Sequence, residues 1–264
     1  MRLRIQSLEI FYTTMRDKKI SYVNYGGLGD HLSFSTIPEM CDKNGYDFYI
    51  SNDTIFRNNE IFELVWKLNP FFKGVTDEKP NCGHNNYTNL ENYDYNLSLQ
   101  RNYEIKMGFG GTTLEHGSKF PIIYYTPKKI DIYDEYILID LNAVSHLEYN
   151  INVIKNHILN YKDEKFLFLT PTYSKSLVDI NFFTELNITE ITTSDIFDYC
   201  DIIFSCKKLI CLWSGSSVLS ATIKNQYHKK LEIDCFVNYN IVPNFGVSDK
   251  THFWYDNINY IKGH

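Results

Sequence analysis

The sequence has no excess of positive charge and no long apolar run. Lys and Arg number 26 against 32 Asp and Glu, which gives a formal net charge of -6. Proteins that coat duplexes or bind anionic membranes neutralise phosphates with Lys and Arg, so this balance argues against a nucleic-acid partner. No stretch approaches the ~20 apolar residues of a transmembrane helix. Charged residues also interrupt positions 1–16, so we expect no membrane span, no signal peptide and a cytoplasmic location.

Metal-binding and redox spacings are missing as well. The six cysteines form no C-x-x-C pair, and the eight histidines form no H-x-x-x-H pair. Cys82 and His84 lie close together in sequence but stand apart from other ligands. Structural zinc sites and thiol–disulfide exchange depend on such spacings. We therefore expect buried free thiols, no metal and no cofactor.

Three common catalytic signatures are also absent. The chain contains a glycine-rich segment at residues 26–31, but the third glycine of a dinucleotide fingerprint would fall at Leu32. A P-loop would end in Gly-Lys-Ser/Thr, and a serine hydrolase would carry Gly-x-Ser-x-Gly; neither occurs. A site in this chain must therefore be built from other patterns.

What is present is an alternation of β-rich and amphipathic segments. The first half predicts strands at 19–25, 47–51 and 71–75, with helices at 30–43 and 61–68 between them. Residues 76–102 predict a long loop, and 103–116 a glycine-weakened helix. The second half predicts strands at 136–141, 165–170, 189–192, 209–213 and 231–236, with helices at 147–159, 195–204 and 216–227. This order is typical of parallel sheets covered by helices.

The length of 264 residues allows one large domain or two small ones. We predict an α/β protein with two small Rossmann-like domains facing a cleft, at residues 1–130 and 131–240. Trp254, Ile258 and Ile261 stand at helical spacing. Residues 241–264 are therefore expected to pack back on the first domain.

In open α/β sheets ligands bind beyond the carboxyl ends of strands, so the strand-to-helix turns are the candidate sites. The first turn carries Gly26, Gly27 and Gly29, which let the backbone turn sharply and approach a ligand. Asp30 follows, either as a helix cap or as a general base. His31 is either an acid, base or orienting donor, or a plain surface histidine.

The second and third turns carry hydroxyls suited to an anion. Lys175 adds an ammonium group to the second turn, which is either a diphosphate site or a solvated loop. The third turn opens a helix, whose exposed amides and positive dipole end form an anion site. The candidate residues of these two turns are Thr170, Thr172, Ser174 and Lys175, and Trp213, Ser214, Gly215, Ser216 and Ser217.

These residues resemble glycosyltransferase family 9, the ADP-heptose:lipopolysaccharide heptosyltransferases. Gly27–Asp30 with Pro38 is similar to the opening of that family, and the segment Asp195–Ala221 is similar to its donor-site segment. The loop Thr170–Lys175 falls where the family places a phosphate-binding Lys. The resemblance implies a GT-B fold, a nucleotide-sugar donor bound by the second domain and a glycan or glycolipid acceptor bound by the first. It also implies a cytoplasmic protein, free or peripheral at the inner membrane face.

The resemblance further implies a metal-independent, inverting transfer in which Asp30 is the catalytic base. Lys175 and the turn at Ser214–Ser217 would stabilise the leaving diphosphate. The family's Asp before Ser-Gly is Trp213 here, and its His is Val218. Two alternatives stay open. One is a nucleotide-sugar hydrolase or epimerase on the same scaffold, with His31 acting on water or on a ring proton. The other, which these departures motivate, is a non-catalytic relative that binds a glycan or a partner protein.

Overall fold

The computed structural model describes residues 18–83, 101–102, 105, 108–109, 111–115, 117, 119–143, 149–170, 175–238 and 255–263. The chain divides into two compact units, Met1–Tyr124 and Tyr125–His264. Among the described residues, no helix combines the length and the apolar composition that crossing a bilayer requires.

The first unit is a parallel sheet with its helices following the strands. Its strands are β1 (Lys19–Val23), β2 (Tyr25–Gly26), β3 (Asp47–Ser51), β4 (Ile55–Phe56), β5 (Phe72–Thr76) and β6 (Cys82–Gly83). Its helices are α1 (Leu28–Leu32), α2 (Ile37–Lys43) and α3 (Asn59–Phe62), the last continued by a π-helix at Glu63–Lys67. The sheet order is β5-β3-β1-β6, while β2 and β4 form a separate parallel pair.

Aromatic side chains fill the core of this unit. The Tyr22 ring centroid lies 5.3 Å from that of Phe34, 5.7 Å from that of Phe48 and 6.2 Å from that of Trp66. All four side chains are fully buried. The cluster joins β1 and β3 to the helical segments that follow them, and so fixes the turn that leaves β1.

The helix predicted at 30–43 is two helices, which corrects that prediction. The first helix ends at Leu32, and the second begins at Ile37 with Pro38 in its first turn. Proline has no backbone N–H and clashes with the carbonyl four residues earlier, but the first turn of a helix tolerates it. The chain therefore breaks the helix before Pro38 and starts a new one around it.

The π-helix changes which residues of the helix predicted at 61–68 face the core. Ile61 is buried as expected, but Leu68 is 41% exposed. Trp66 and Asn69 are buried instead. A π-turn holds one residue more than an α-turn, so the side chains that follow it move around the helix axis by one position. This insertion brings Trp66 into the core.

The second unit is a six-stranded parallel sheet with a short ribbon at one end. Its sheet strands are β7 (Tyr136–Asp140), β9 (Lys165–Leu169), β11 (Asn187–Ile191), β12 (Lys208–Leu212), β13 (Glu232–Val237) and β14 (Asn259–Lys262), and β8 (Asn142–Ala143) pairs antiparallel with β10 (Lys175–Ser176). The helices are α4 (Ile151–Leu159), α5 (Ile196–Ser205) and α6 (Gly215–Gln226), with 3-10 turns at Asp131–Tyr133 and Ile180–Phe183. The order β11-β9-β7-β12-β13-β14 is that of a Rossmann sheet.

The end of the chain differs from the expectation for residues 241–264. Of this segment the structure describes 255–263, where Asn259–Lys262 is a strand and not a helix. It pairs in parallel with β13, so it extends the sheet of the second unit. The Asn259 side chain fixes the register, because its Nδ2 donates to Asp234 Oδ1 at 2.8 Å. Trp254, which also entered the prediction, lies outside the described residues.

Candidate functional site

The strand order places a candidate ligand site in the second unit. The chain runs outward from β7 through β9 to β11, and then returns to place β12 on the other side of β7. This reversal is a topological switch point, where open α/β sheets bind ligands beyond the carboxyl ends of the strands. Asp140 ends β7, and the turn Trp213–Ser217 follows β12. The predicted third turn therefore lies at the switch point.

The serine hydroxyls of this turn are all engaged by the protein itself. Ser214 caps α6 and donates its hydroxyl to Leu212 O at 3.3 Å. The Ser217 hydroxyl donates to Ser214 O at 2.8 Å, and that of Ser216 to Asp140 Oδ2 at 2.5 Å. A hydroxyl has one hydrogen to donate, so none of the three can also donate to a phosphate in this arrangement.

The turn nevertheless keeps a donor for an anion in its backbone. Gly215 is the first residue of α6, and within the described part of the chain its N–H meets no acceptor. The first N–H groups of a helix have no intrahelical partner and lie at the positive end of the helix dipole. The candidate anion donor at this turn is therefore the Gly215 amide and not a serine hydroxyl.

Asp140 belongs to the candidate site, and the sequence did not predict it. Its carboxylate is 1% exposed and accepts from the Ser216 hydroxyl, from the Tyr199 hydroxyl and, at 3.0 Å, from the Asn142 N–H. Burial raises the pKa of Asp140, although the bonds from Ser216 and Tyr199 act in the opposite direction. The signal that could have found it is a charged residue at the end of the apolar run Tyr136–Leu141.

The second predicted turn is only partly described. Thr170 follows β9, and its hydroxyl donates to the Glu190 carboxylate of the neighbouring strand. The backbone of Lys175 lies in β10 opposite Ala143, which places it just beyond the carboxyl end of β7. The Lys175 side chain lies outside the described part of the structure, as do Thr172 and Ser174.

In the first unit, the glycine turn holds the Asp30 carboxylate at the carboxyl end of β1. Asp30 lies in the first turn of α1, where its Oδ2 accepts from the Gly27 N–H at 2.7 Å. Gly26 has a φ of +127°, and a Cβ added there would lie 2.2 Å from Asp30 Oδ2. Gly29 is buried within α1 and accepts the Ser33 hydroxyl at 2.8 Å. Only glycine at position 26 therefore leaves room for this carboxylate.

His31 does not have the environment of an acid or base, which corrects its prediction. The ring is fully buried and stacks on Phe56 with centroids 4.6 Å apart. Its Nδ1 accepts from the Trp66 indole N–H at 3.1 Å, and its Nε2 lies 3.3 Å from Ile55 O. Indole can only donate and a carbonyl can only accept, so the ring is neutral with its hydrogen on Nε2. His31 is a core residue that joins the glycine turn to the π-helix.

Comparison with known proteins identifies the fold. No protein-family profile and no curated protein sequence matches the chain. Among solved structures, the glycosyl transferase family 9 protein from Veillonella parvula DSM 2008 matches 92% of this chain and 86% of its own, with a TM-score of 0.56 and 9% identity. The ADP-heptose lps heptosyltransferase II of E. coli matches 92% of this chain and 90% of its own, with a TM-score of 0.54 and 7% identity. The chain has the fold of these glycosyltransferases.

This heptosyltransferase-like fold confirms the predicted α/β, GT-B-like class. A further similar structure is the dodecameric, iron-containing glycosyltransferase TibC from enterotoxigenic E. coli H10407, with a TM-score of 0.53, 11% identity and 83% of this chain covered. The chain spans 59% of the length of TibC, which was also solved in complex with ADP-D-β-D-heptose. In the part of the chain that the structure describes, no three His, Cys, Asp or Glu side chains group to hold a metal ion.

The two positions that depart from the family 9 pattern, Trp213 and Val218, differ in burial. Trp213 is half-buried at the mouth of the turn, and its backbone N–H donates to Phe236 O at 2.9 Å. Val218 is fully buried in α6. The position of the family's His is thus a core position in this heptosyltransferase-like fold. A carboxylate is nevertheless present at the turn, because Asp140 reaches Ser216 from the neighbouring strand.

Proposed function

We propose that this protein is an inverting glycosyltransferase that moves a sugar from a nucleotide-diphosphate sugar to a hydroxyl of a glycan or glycolipid. The observation that carries the proposal is the Asp30 carboxylate at the carboxyl end of β1, in a fold shared with family 9 transferases. Its Oδ2 is occupied by the Gly27 N–H, and the described residues donate no hydrogen bond to its Oδ1. A helix cap uses one oxygen, which leaves the other for a proton.

In the proposed reaction Asp30 is the general base. Its Oδ1 takes the proton of the acceptor hydroxyl while that oxygen bonds to the anomeric carbon of the donor sugar. The bond from this carbon to the diphosphate breaks from the opposite side, so the configuration inverts. Because the attack and the departure occur together, proton removal by a positioned carboxylate lowers the barrier of the transfer.

The leaving diphosphate gains negative charge as the bond breaks, and the second unit supplies the groups that stabilise it. We assign this task to the Gly215 N–H at the positive end of α6 and to Lys175 in β10. These groups stabilise a diphosphate without a metal ion, and transfer by this chain is proposed to be metal-independent. TibC in complex with ADP-D-β-D-heptose supports a nucleotide-sugar donor. A glycolipid acceptor would bring a cytoplasmic protein to the inner membrane face.

The test is transfer activity of the full chain and of its Asp30→Asn variant, with a panel of nucleotide sugars that begins with ADP-heptose. The amide oxygen of the substituted side chain still accepts the Gly27 N–H, so folding is preserved while kcat falls by about 10²- to 10⁴-fold. Asp47→Asn is the matched control, because Asp47 is exposed at the opposite end of the sheet. If calorimetry detects no nucleotide binding, or if Asp30→Asn turns over as the wild type does, the proposal is wrong.

The same assay separates the remaining functions. Sugar release that does not depend on an acceptor would indicate a nucleotide-sugar hydrolase. An epimerase that uses His31 finds no support, because both ring nitrogens are engaged in the core. A non-catalytic relative would bind a nucleotide or glycan with equal affinity before and after Asp30→Asn, and would show no turnover in either form.

A further inference from the structure

We propose that Asp140 is a positioning residue of the donor site, which holds the first turn of α6 so that the Gly215 N–H points at the donor diphosphate. The inference rests on the proposed function and concerns the same site. Asp140 does not itself contact the donor in this scheme. It acts through the Ser216 hydroxyl, whose 2.5 Å bond joins the end of β7 to the second residue of α6.

The first turn of α6 is held from two directions around Gly215. The Ser216 N–H donates to the Ser214 hydroxyl oxygen at 3.3 Å, and the Ser216 hydroxyl donates to Asp140. Gly215 has no side chain, so its own packing cannot fix the direction of its N–H. The backbone of the first helical turn sets the orientation of that amide, and the bonds of its neighbours hold this turn in place. Of these two bonds, the one to Asp140 is the one that ties the turn to β7.

The environment of Asp140 indicates a functional role and not a contribution to the stability of the fold. Its carboxylate is buried, and among the described residues no Lys, Arg or His forms an ion pair with it. Its donors are the hydroxyls of Ser216 and Tyr199 and the backbone N–H of Asn142. A buried charge without a counter-ion is costly to desolvate, and an apolar side chain of similar size would stabilise a core at least as well. A short, strong bond to Ser216 is what the carboxylate adds.

The cluster also contains its own control. Tyr199 donates to the same Oδ2 atom of Asp140, but it comes from α5 and not from the donor turn. Loss of the Tyr199 hydroxyl removes a bond of the same type from this carboxylate, together with a contact to the Ser216 hydroxyl, but leaves the bond from Ser216 to Asp140 in place. A purely structural role of Asp140 predicts equal effects of the two hydroxyls. A positioning role predicts that only Ser216 affects the donor.

The test is a double-mutant cycle on the full chain with Asp140→Asn, Ser216→Ala and the double variant, with Tyr199→Phe as the control. Calorimetry measures the Kd of ADP and of inorganic pyrophosphate, and kinetics measure the acceptor KM. We expect each single variant to bind both probes roughly tenfold more weakly, and the double variant no more weakly than the singles, because both remove the same link. Tyr199→Phe should bind within about twofold of the wild type, and the acceptor KM should stay constant.

Each other outcome has a distinct meaning. Unchanged binding by Ser216→Ala, additive losses in the double variant, or an equal loss in Tyr199→Phe would overturn the positioning role while leaving the transferase proposal intact. Failure of the wild type to bind pyrophosphate and every nucleoside diphosphate of the panel would overturn both. If Asp140→Asn does not fold, Ser216→Ala and Tyr199→Phe still decide the question, because each removes a single hydroxyl.

Discussion

Replacement of Gly26 by Ala should remove both the geometry and the activity of the first turn. A φ of +127° is a conformation that side chains other than glycine rarely adopt, and holding it costs about 1–3 kcal/mol. The new Cβ would lie 2.2 Å from Asp30 Oδ2 and 2.7 Å from its Cγ, so the carboxylate must withdraw. Withdrawal breaks the bond from the Gly27 N–H, which is worth about 1.5–3 kcal/mol to a charged acceptor. The sum is a loss of about 2.5–6 kcal/mol in the free energy of unfolding.

A second glycine of the same unit isolates the clash from the backbone strain. Gly45 has a φ of +78°, and a Cβ added there would meet no atom within 4 Å. Gly45→Ala should therefore cost only about 1–2 kcal/mol of strain and leave kcat unchanged. Urea unfolding and transferase assays on the two variants give the comparison. If Gly26→Ala costs no more than Gly45→Ala, or retains wild-type kcat, then the turn does not hold Asp30 as described.

Two further variants test the cores of the two units. His31→Gln keeps a donor for Ile55 O but removes the acceptor of the Trp66 N–H, so urea unfolding should show a loss of about 1–3 kcal/mol in the free energy of unfolding. The pH profile of kcat should keep its shape. If the variant loses an ionisation from that profile, His31 is not the core residue described above. In the second unit burial alone would raise the pKa of Asp234, but bonds from His157, Lys208 and Asn259 lower it overall. Its charged form therefore stabilises the fold above the pKa of the unfolded chain, about 3.9, and this stabilisation is lost as the pH falls towards the lower folded value. The unfolding free energies of Asp234→Asn and the wild type should differ at pH 7 and converge in acid, and a constant difference would refute the linkage.

Local patterns were sufficient for most of the longer strands and helices and for the position of the turns. The run Lys165–Thr170 is apolar enough to predict a buried strand, and the structure places β9 at Lys165–Leu169. Gly26 and Ser214 were predicted to follow the ends of strands, and in the structure β2 ends at Gly26 and Ser214 caps the helix after β12. In these places the local preference and the fold agree, and the resemblance to family 9 was detectable from the same residues.

The misses share a physical cause, which is that the deciding contact is distant in sequence. Three serines beside a glycine predict an anion site, but nothing near them shows that Ser216 donates to Asp140, 76 residues away. His31 meets Trp66 across 35 residues. Tyr260 and Ile261 suit a strand as well as a helix by type, and the parallel pairing with β13 decides between them. The periodicity of apolar residues along the sequence does not predict contacts between residues so far apart.

The π-helix makes the first unit sensitive to chain length at Glu63–Lys67. Deleting one residue there would restore α-helical spacing and turn the following side chains by about 100° around the axis. Asn69, whose Nδ2 donates to Ser35 O at 3.1 Å, would lose its partner, and Trp66 would leave His31. Substitutions on this segment change single contacts, whereas a one-residue deletion would change all of them together. In relatives of this chain, the residue count of this segment therefore carries more structural information than the identity of its exposed residues.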